Sequence, residues 1–557
     1  MRALALLISC LAAVGFAHNS TFDEHTEGQK YHGESLAWTP CPISPTLDGD
    51  HQLECSNLLV PMDQFNASNN GFNNEKHFNI SLIRLRGKNA TANGNINILL
   101  NPGGPGGSGM SLMYRWGVDI SQVVGENFNL LSFDPRGVNA STPYVKCYPT
   151  PGNKTQASRN SWTGTDPYNL AESSGNWWAS SIIYSQACKQ TMGEHGEYIN
   201  TPQTAADMNS ILDAVGQEDL YYWGFSYGTI LGQTYATMYP ERARRVIIDG
   251  VANEFDWFTN WSDRESNDDT DKVFEGFVDE CIKAGNQTCP LAQLAETKEE
   301  LTEKLISTIW ALREEPAPIY VNNTVSGLVG FSDVWNNAVF NALYSPLRWA
   351  PLAAALTPLV QTGNATAFFL HYMLPSTAES YNDYDEGDAN DYIRYNDGVS
   401  GAALSPATPE ELIPAILEAS NNTIFGSQEW PGYFNRRSWA VRKTIDFVPE
   451  RGVKTAHPLL ILSTTYDPVC PLISARSAND AFVGSRLVEV RGYGHCSLAV
   501  PSNCVNDIVR QYFVEGVLPE SNVVCGPNLP LPYFPAENST TGATSPVHTT
   551  GQAYGCG

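Results

Sequence analysis

Apolar runs that end in turns containing Gly or Pro recur along the first half of the chain. Five of them read HFNISLIRLRG (77–87), INILLNPGG (96–104), FNLLSFDPRG (128–137), LYYWGFSYG (220–228) and RRVIIDG (244–250). Stretches with helical spacing, such as TAADMNSILDAVG, separate several of these runs. Buried strands that alternate with helices predict an α/β fold, with a mostly parallel sheet and helices on both faces. The same pattern returns late in the chain, at 457–471 and 485–498.

Residues 251–445, which lie between the two sheet-forming blocks, have a different pattern. Long helical stretches at 272–285 and 297–315 stand beside acidic loops such as YNDYDEGDANDY. A helical segment placed between two parts of a sheet domain is typical of a cap over the edge where the strands end. A second independent domain would give the same pattern. We call residues 251–445 the cap segment.

The whole chain therefore divides into five predicted parts. They are a signal peptide (1–17), a first part of the sheet domain (18–250), the cap segment (251–445), a C-terminal part of the sheet domain (446–535) and a disordered Ser/Thr/Gly-rich tail (536–557).

The first residues have the pattern of a secretory signal peptide. Arg2 precedes an apolar run from Ala3 to Phe16, and small residues around Ala17 suit cleavage there. The run is too short to span a membrane, so we expect a secreted, extracellular protein. Secretion makes glycosylation relevant, and Asn-x-Ser/Thr sequons start at Asn19, Asn66, Asn79, Asn89, Asn139, Asn153, Asn260, Asn286, Asn322, Asn364, Asn421 and Asn538.

Most of the cysteines are expected to form disulfides in a secreted chain. Pairs close in sequence are the easiest to propose, although spacing does not fix connectivity: Cys41–Cys55, Cys147–Cys188, Cys281–Cys289 and Cys504–Cys525. A bond between Cys470 and Cys496 would be a further hypothesis. The cysteines lack the C-x-x-C spacing of zinc sites, so we expect no metal. The net charge of −26 argues against nucleic-acid and anionic-membrane partners.

The stretch from Gly224 to Gly228 is a G-x-S-x-G motif, with Ser226 at its centre. It follows an apolar run and precedes a helical one, so it predicts a sharp strand-to-helix turn. Such a turn exposes the serine Oγ and places the next backbone N–H, that of Tyr227, at a helix N-terminus suited to an oxyanion.

A serine nucleophile needs a base, and in this fold the acid and then the histidine follow the serine along the chain. Asp467 follows the run LLILSTTY, and His495 follows the run LVEVRGYG. Both stand where a strand meets a turn. Asp249 also ends a strand-like run and competes with Asp467 for the role of the acid.

The glycine-rich stretch NPGGPGGSG (101–109) follows the predicted strand at 96–100. Its glycines allow the backbone to approach the serine, so that an N–H near Gly103 or Gly104 can stabilise the oxyanion. A phosphate-binding loop is the alternative, but the stretch lacks the G-x-x-x-x-G-K-[ST] lysine.

With these motifs in this order, together with FDPRGVNAST (133–142), the chain resembles α/β-hydrolase peptidases of the proline iminopeptidase and tripeptidyl aminopeptidase type. It is most similar to the secreted tripeptidyl aminopeptidase-like group, whose trailing cysteine pair is matched by Cys504 and Cys525. The resemblance implies the α/β-hydrolase fold with a large helical cap. It also implies a serine exopeptidase that acts on peptides with a free N-terminus and needs no cofactor.

The resemblance assigns roles to six residues. Ser226 is the nucleophile, His495 the general base and acid, and Asp467 the acid that orients the histidine. The N–H groups of Gly104 and Tyr227 form the oxyanion hole. Arg136 matches a family turn and is interpreted as structural.

The chain departs from the family pattern at Asn139, where the family turn has Gly, and Asn139 also starts a sequon. An aminopeptidase needs carboxylates to bind the substrate ammonium group. Glu254 and Asp256, just after a predicted strand, are the candidates, with solvated cap-entry charges as the alternative.

Three other functions use the same features. A secreted carboxylesterase or lactonase would use the same triad. A serine carboxypeptidase usually has Glu before the serine, where this chain has Phe225. A non-catalytic binding protein on a hydrolase scaffold would be expected to lack a triad residue.

Overall fold

The structure is a computed structural model that describes residues 33–42, 52–66, 76–90, 95–160, 168–262, 264–374, 383–401, 404, 408–528 and 533–535. The predicted signal peptide and the predicted tail lie outside the described residues. No helix in the described ranges is long and apolar enough to cross a membrane. The strands in these ranges are β1 (Thr39–Pro40), β2 (Leu53–Pro61), β3 (His77–Leu85), β4 (Asn97–Asn101), β5 (Asn129–Phe133), β6 (Leu220–Phe225), β7 (Ala243–Asp249), β8 (Ala317–Asn322), β9 (Val325–Val329), β10 (Leu460–Tyr466), β11 (Arg486–Tyr493) and β12 (Val523–Cys525).

Ten of these strands form one sheet in the order β1-β2-β3-β5-β4-β6-β7-β10-β11-β12. The pairs from β5 to β12 are parallel, and β1, β2 and β3 form an antiparallel edge. The late strand β10 pairs directly with β7, with Leu460 opposite Ile247. The predicted fold, a mostly parallel α/β-hydrolase sheet, is confirmed; the antiparallel edge was not predicted.

The helices of the described residues cover both faces of this sheet and fill most of the cap segment. They are α1 (Gly109–Val124), α2 (Pro151–Asn160), α3 (Leu170–Gly196), α4 (Thr201–Ala214), α5 (Tyr227–Met238), α6 (Glu254–Thr259), α7 (Thr270–Ala284), α8 (Lys298–Ala311), α9 (Phe340–Leu343), α10 (Trp349–Thr362), α11 (Thr366–Phe368), α12 (Glu386–Asp397), α13 (Pro409–Ser420), α14 (Trp430–Ser438), α15 (Leu472–Ala481) and α16 (Asn503–Glu515). Helix α3 is kinked at Gly193.

Alternating side chains of the central strands pack against the two helix layers. In β4, Ile98 and Leu100 join the apolar cluster that includes Leu112 of α1, whereas Leu99 joins the cluster that includes Leu231 of α5. All five residues of β4 are buried. Burial on both faces explains why the three central residues of this strand, Ile98 to Leu100, are all apolar.

The cap segment has an apolar core of its own. The rings of Trp335 and Phe425 stack with centroids 4.3 Å apart, and Trp349 and Phe277 are buried in the same cluster. Tyr493, at the end of β11, packs against this cluster. The cap segment therefore lies against the carboxyl end of the sheet.

Four disulfides link the cysteine pairs proposed from spacing: Cys41–Cys55, Cys147–Cys188, Cys281–Cys289 and Cys504–Cys525. The hypothetical Cys470–Cys496 bond is not one of these four. Both of these cysteines are buried, and the Sγ atom of Cys496 lies 3.4 Å from the carbonyl oxygen of Asp249.

Candidate active site

The residues predicted for the triad follow three parallel strands of the sheet. Ser226 follows β6, Asp467 follows β10 and His495 lies two residues beyond β11. The carboxyl ends of parallel strands meet at the same edge of a sheet, which is where α/β folds build their sites. The alternation of strands and helices thus explains how residues so far apart in sequence reach one edge.

Ser226 stands on a strained turn between β6 and α5. Its backbone has φ 56° and ψ −125°, a region that side chains rarely adopt, and its N–H donates to the carbonyl of Asp249 at 2.9 Å. A Cβ atom on Gly224 would lie 2.3 Å from the carbonyl oxygen of Gly228. The two glycines of the motif are therefore required by the tightness of the turn.

Asp467 and His495 form a buried pair. The Nδ1 atom of His495 lies 2.8 Å and 2.9 Å from the two carboxylate oxygens of Asp467. The carboxylate also accepts backbone N–H bonds from Val469, Cys470 and Cys496 at 2.8–3.0 Å. These bonds join the loop that carries the acid to the loop that carries the histidine.

The Nε2 atom of His495 is buried and has no hydrogen-bond partner among the described residues. With the Nδ1–H donated to Asp467, the Nε2 lone pair is the one able to accept a proton. A base in this state is ready to act on a hydroxyl presented to it.

Asp467, Cys470 and His495 place potential metal-ligand atoms within 4.8 Å of one another. Both oxygens of Asp467 already accept N–H donors from the protein. The arrangement has the chemistry of a hydrogen-bonded acid–histidine pair rather than that of a metal centre.

Asp249, the competing acid, has a different position. Its carboxylate accepts the N–H of Ser497 at 2.7 Å, the Oγ–H of Ser497 at 2.6 Å and the indole N–H of Trp223 at 3.3 Å. Burial raises its pKa to about 6, and the Ser497 and Trp223 donors oppose the rise. Asp249 thus bonds through its carboxylate to Ser497, two residues beyond His495, and through its carbonyl to the N–H of Ser226. The sequence did not predict these contacts.

The glycine-rich loop lies directly against the nucleophile turn. Gly103, Gly104 and Gly106 all have φ near +100°. A Cβ atom on Gly103 would lie 2.8 Å from Cβ of Ser226 and 3.1 Å from the backbone N of Tyr227. Only a residue without a side chain permits this approach.

Tyr227 is the first residue of α5, and its N–H has no acceptor within the helix. The ring of Tyr227 is buried, and its hydroxyl lies 2.5 Å from Oγ1 of Thr201. The N–H that the sequence predicts for the oxyanion hole therefore belongs to a residue whose side chain is fixed in the core.

Arg136 has a structural position, as interpreted from the sequence. It is fully buried, forms a two-bond ion pair with Asp207 at 2.6–2.7 Å and donates to the carbonyls of Pro61, Met62 and Tyr198. These bonds connect the family turn to β2 and α4.

Asn139 adopts φ 43° at the position where the family has Gly. Asn is among the residues that tolerate this left-handed region. Its side-chain amide donates to Asp134 and to Ser108, each at 3.0 Å. The departure from the family pattern is therefore accommodated within the turn, and the amide of this sequon is engaged in the fold.

Glu254 and Asp256 occupy contrasting environments on α6, immediately after β7. Glu254 is 0% exposed, and neither of its carboxylate oxygens has a hydrogen-bond partner among the described residues. Burial raises its pKa to about 8, and the charge of Arg451 opposes that rise. Asp256 is half-buried and accepts from the amide of Asn260 at 2.7 Å.

The cap segment contacts the triad loops at positions that the sequence did not predict. The backbone N–H of His495 donates to the carbonyl of Tyr344 at 2.8 Å, and the two rings are edge to face. Thr270, at the start of α7, donates to the carbonyl of Pro468 at 2.6 Å. Three of the four atoms in these bonds are backbone atoms, so no residue pattern could have indicated them.

The chain is similar to known proteins over most of its length. Residues 430–525 match the family model described as TAP-like protein. The serine protease Hip1 of Mycobacterium tuberculosis is 26% identical over 518 residues, which cover 88% of this chain and 91% of that protein. The tripeptidyl aminopeptidase of Streptomyces lividans is 25% identical over 539 residues, 92% of each chain. Carboxylesterase B of M. tuberculosis is 25% identical over 446 residues, 77% of this chain and 80% of that protein.

The matched region 430–525 contains β10, β11 and the loops that carry Asp467 and His495. The resemblance predicted from the sequence is therefore confirmed: the chain has the α/β-hydrolase fold, carries a TAP-like region and is similar over most of its length to tripeptidyl aminopeptidases and to the serine protease Hip1.

Proposed function

We propose that the chain is a secreted serine exopeptidase that releases short N-terminal pieces, aminoacyl or tripeptidyl, from peptides with a free N-terminus. The observation that carries the proposal is the buried Asp467–His495 pair, with Nδ1 2.8 Å from the carboxylate and Nε2 without a partner in the described residues. Ser226 supplies the nucleophile on its strained turn beyond β6. The similarity to a tripeptidyl aminopeptidase and a serine protease supports peptide substrates.

The proposed reaction is acyl transfer. Ser226 Oγ attacks the scissile carbonyl while His495 Nε2 accepts its proton, and the resulting imidazolium is stabilised by Asp467. The N–H groups of Gly104 and Tyr227 stabilise the oxyanion, each donor contributing about 3–4 kcal/mol to the transition state. His495 then protonates the leaving amine, and water hydrolyses the acyl enzyme by the same steps in reverse order.

Glu254 is the residue that we assign to the substrate ammonium group. A buried carboxyl group without a partner is costly to ionise, which is why its pKa rises. A substrate ammonium ion placed beside it would supply the direct ion-pair partner that the carboxylate lacks and would favour the ionised form. Asp256 already accepts a bond from Asn260, so it is the weaker of the two candidates.

The proposed location is extracellular. The pattern of residues 1–17, the twelve sequons and the four disulfides support secretion, since disulfides persist in oxidising compartments. The bounds of the cap segment, 251–445, belong to the same proposal. The ten-stranded sheet has no strand between Asp249 and Leu460 in the described residues, which supports those bounds.

The test is the hydrolysis of peptide anilides of one, two and three residues, each with a free and a blocked N-terminus, by the wild type and by Ser226→Ala. We expect cleavage that requires the free amine and disappears in the variant. The peptide length that gives the highest kcat/KM identifies the size of the released piece. Cleavage of blocked peptides at equal rates would contradict the exopeptidase assignment.

A carboxylesterase is the second candidate, because Carboxylesterase B is similar over 77% of the chain and a triad acts equally on oxygen esters. Short acyl esters test it in the same assay. Ester turnover by the wild type without any anilide cleavage would replace the peptidase assignment with this one.

A further inference from the structure

The glycine-rich loop has little to hold it in place from within. Within the loop, the N–H of Gly107 donates to the carbonyl of Gly103 at 3.0 Å, and Gly103 donates to the side chain of Asn101 at 3.0 Å. Glycines have the largest backbone freedom of all residues. A donor on such a loop stabilises an oxyanion only if other parts of the protein restrict it in advance.

The sheet domain holds one end of the loop, where Ser108 bonds to Asp134 and Asn139, and the cap segment restricts the glycines before it. The hydroxyl of Tyr384, just before α12, donates to the carbonyl of Gly106 at 2.5 Å. The side-chain amide of Asn390, on α12, donates to the carbonyl of Pro105 at 3.1 Å. A Cβ atom on Gly106 would lie 2.9 Å from the carbonyl oxygen of Glu386, so the loop and the helix are in backbone contact.

The other end of the same helix reaches the second oxyanion donor. Asp397, the last residue of α12, accepts the N–H of Thr201 at 2.8 Å, the hydroxyl of Thr201 at 2.6 Å and the indole N–H of Trp257 at 2.9 Å. Because the Thr201 hydroxyl gives its hydrogen to Asp397, the hydroxyl of Tyr227 must donate to Thr201. The chain of bonds Asp397–Thr201–Tyr227 is buried throughout.

We propose that α12 is a positioning element for the oxyanion hole, with Tyr384 and Asn390 setting the glycine-rich loop and Asp397 setting Tyr227 through Thr201. The inference rests on the proposed function, since it assigns the N–H groups of Gly104 and Tyr227 to the oxyanion. One rigid helix then fixes the spacing between two donors that come from different strands. None of the residues of α12 needs to contact the substrate.

The test removes single hydroxyl or amide groups at nearly constant volume: Tyr384→Phe, Asn390→Leu and Thr201→Val. We expect each change to lower kcat about tenfold and to leave KM within twofold, because the oxyanion exists only in the transition state. The affinity for a peptidyl boronate, which forms a tetrahedral adduct with the serine, should fall in proportion to kcat/KM.

Tyr392→Phe is the matched control. Tyr392 lies on α12 and donates its hydroxyl to a backbone carbonyl, that of Cys188, at 2.6 Å, but it does not bond to the glycine-rich loop. We expect this variant to keep kcat within twofold. An equal loss of kcat in Tyr392→Phe and Tyr384→Phe would show that the helix matters only for the fold and would overturn the proposal.

The two proposals fail in different ways. Activity that survives in Ser226→Ala overturns the proposed function. If Ser226→Ala is inactive while Tyr384→Phe and Asn390→Leu retain wild-type kcat and boronate affinity, the triad stands and the positioning role of α12 is wrong. Thermal unfolding of every variant, followed by circular dichroism, identifies any that fail to fold, and Thr201→Val then serves as the independent readout.

Discussion

Two buried carboxyl groups, those of Asp467 and Glu254, lie beyond the neighbouring strands β10 and β7. They differ in the hydrogen bonds that they receive. Asp467 receives three backbone N–H bonds and the imidazole of His495. Glu254 receives no hydrogen bond from the described residues, and its pKa rises to about 8. The carboxylate of Asp467 thus has hydrogen-bond donors within the protein, whereas that of Glu254 has none among the described residues and only the more distant charge of Arg451 to stabilise it. In the proposed function, Asp467 serves catalysis and Glu254 serves recognition of the substrate ammonium group.

The largest effect on kcat is expected for a change at Asp467. Asp467→Asn should lower kcat by about 10⁴-fold, because an amide in place of the carboxylate favours the wrong tautomer of His495. KM for the same peptide anilide should change little. Steady-state kinetics measure both quantities, and a loss below tenfold would contradict the role of Asp467 as the acid of the triad.

A change at Glu254 should lower kcat/KM only for substrates that carry a positive charge. Glu254→Gln should lower kcat/KM for free-amine peptides by about 100-fold, the value of a charged contact of about 3 kcal/mol. Hydrolysis of short uncharged esters should stay within twofold. Asp256→Asn is the matched control on the same helix and should remain within twofold for both substrates. Equal losses of peptide and ester hydrolysis in Glu254→Gln would argue against ammonium binding.

Binding of a free-amine peptide should also release a proton from Glu254. With a pKa of about 8, Glu254 is protonated at pH 6.5 in the empty site, and so is the substrate amine. Pairing the two requires the carboxyl group to ionise. A free-amine tripeptide should therefore release about one proton on binding to Ser226→Ala, as measured by calorimetry in buffers of different ionisation enthalpy. An N-acetylated peptide, or the additional change Glu254→Gln, should abolish the release.

The smallest expected effect is on stability. The folded pKa of Glu254 lies above its model-compound value of 4.5, so the folded state binds more protons between these two pH values and loses stability as the pH rises from 4.5 to 8. Glu254→Gln removes that loss. Its Tm should exceed that of the wild type by roughly 2–5 °C at pH 8.5 and by little at pH 5. A Tm difference independent of pH would contradict the burial of an uncompensated carboxyl group.

The local signals in the sequence predicted candidate site residues at the ends of individual strands. The G-x-S-x-G motif, and the polar residue at the end of an apolar run, depend on the strand-turn-helix geometry of a few consecutive residues. Ser226, Asp467 and His495 were predicted in this way and lie just beyond β6, β10 and β11, and the four disulfides join cysteines that are close in sequence. Such signals can be recognised in a single sequence because a few consecutive residues determine them.

The contacts that complete the site join residues far apart in the chain. Tyr384 bonds to a carbonyl 278 residues away, and Asn390 to one 285 residues away. Asp249 bonds to Ser497 across 248 residues. In the bonds of Tyr384 and Asn390, the acceptor is a backbone carbonyl. Every residue has a backbone carbonyl, so the sequence does not indicate which one accepts the bond. The packing of the cap segment on the sheet determines which carbonyl accepts the bond from each of these side chains.

The pairing of β10 with β7 also sets the order in which the enzyme can be made. Strand β7 ends at Asp249, and its neighbour β10 begins at Leu460, so the ribosome must finish the cap segment before the sheet can close. Until then β7 is an open edge, a form of strand that invites association with other chains. At cellular synthesis rates the roughly 270 residues from Ser226 to His495 take roughly 15–55 seconds to make. During that interval the nascent chain contains Ser226 but neither Asp467 nor His495, so the proposed triad can assemble only when the sheet closes.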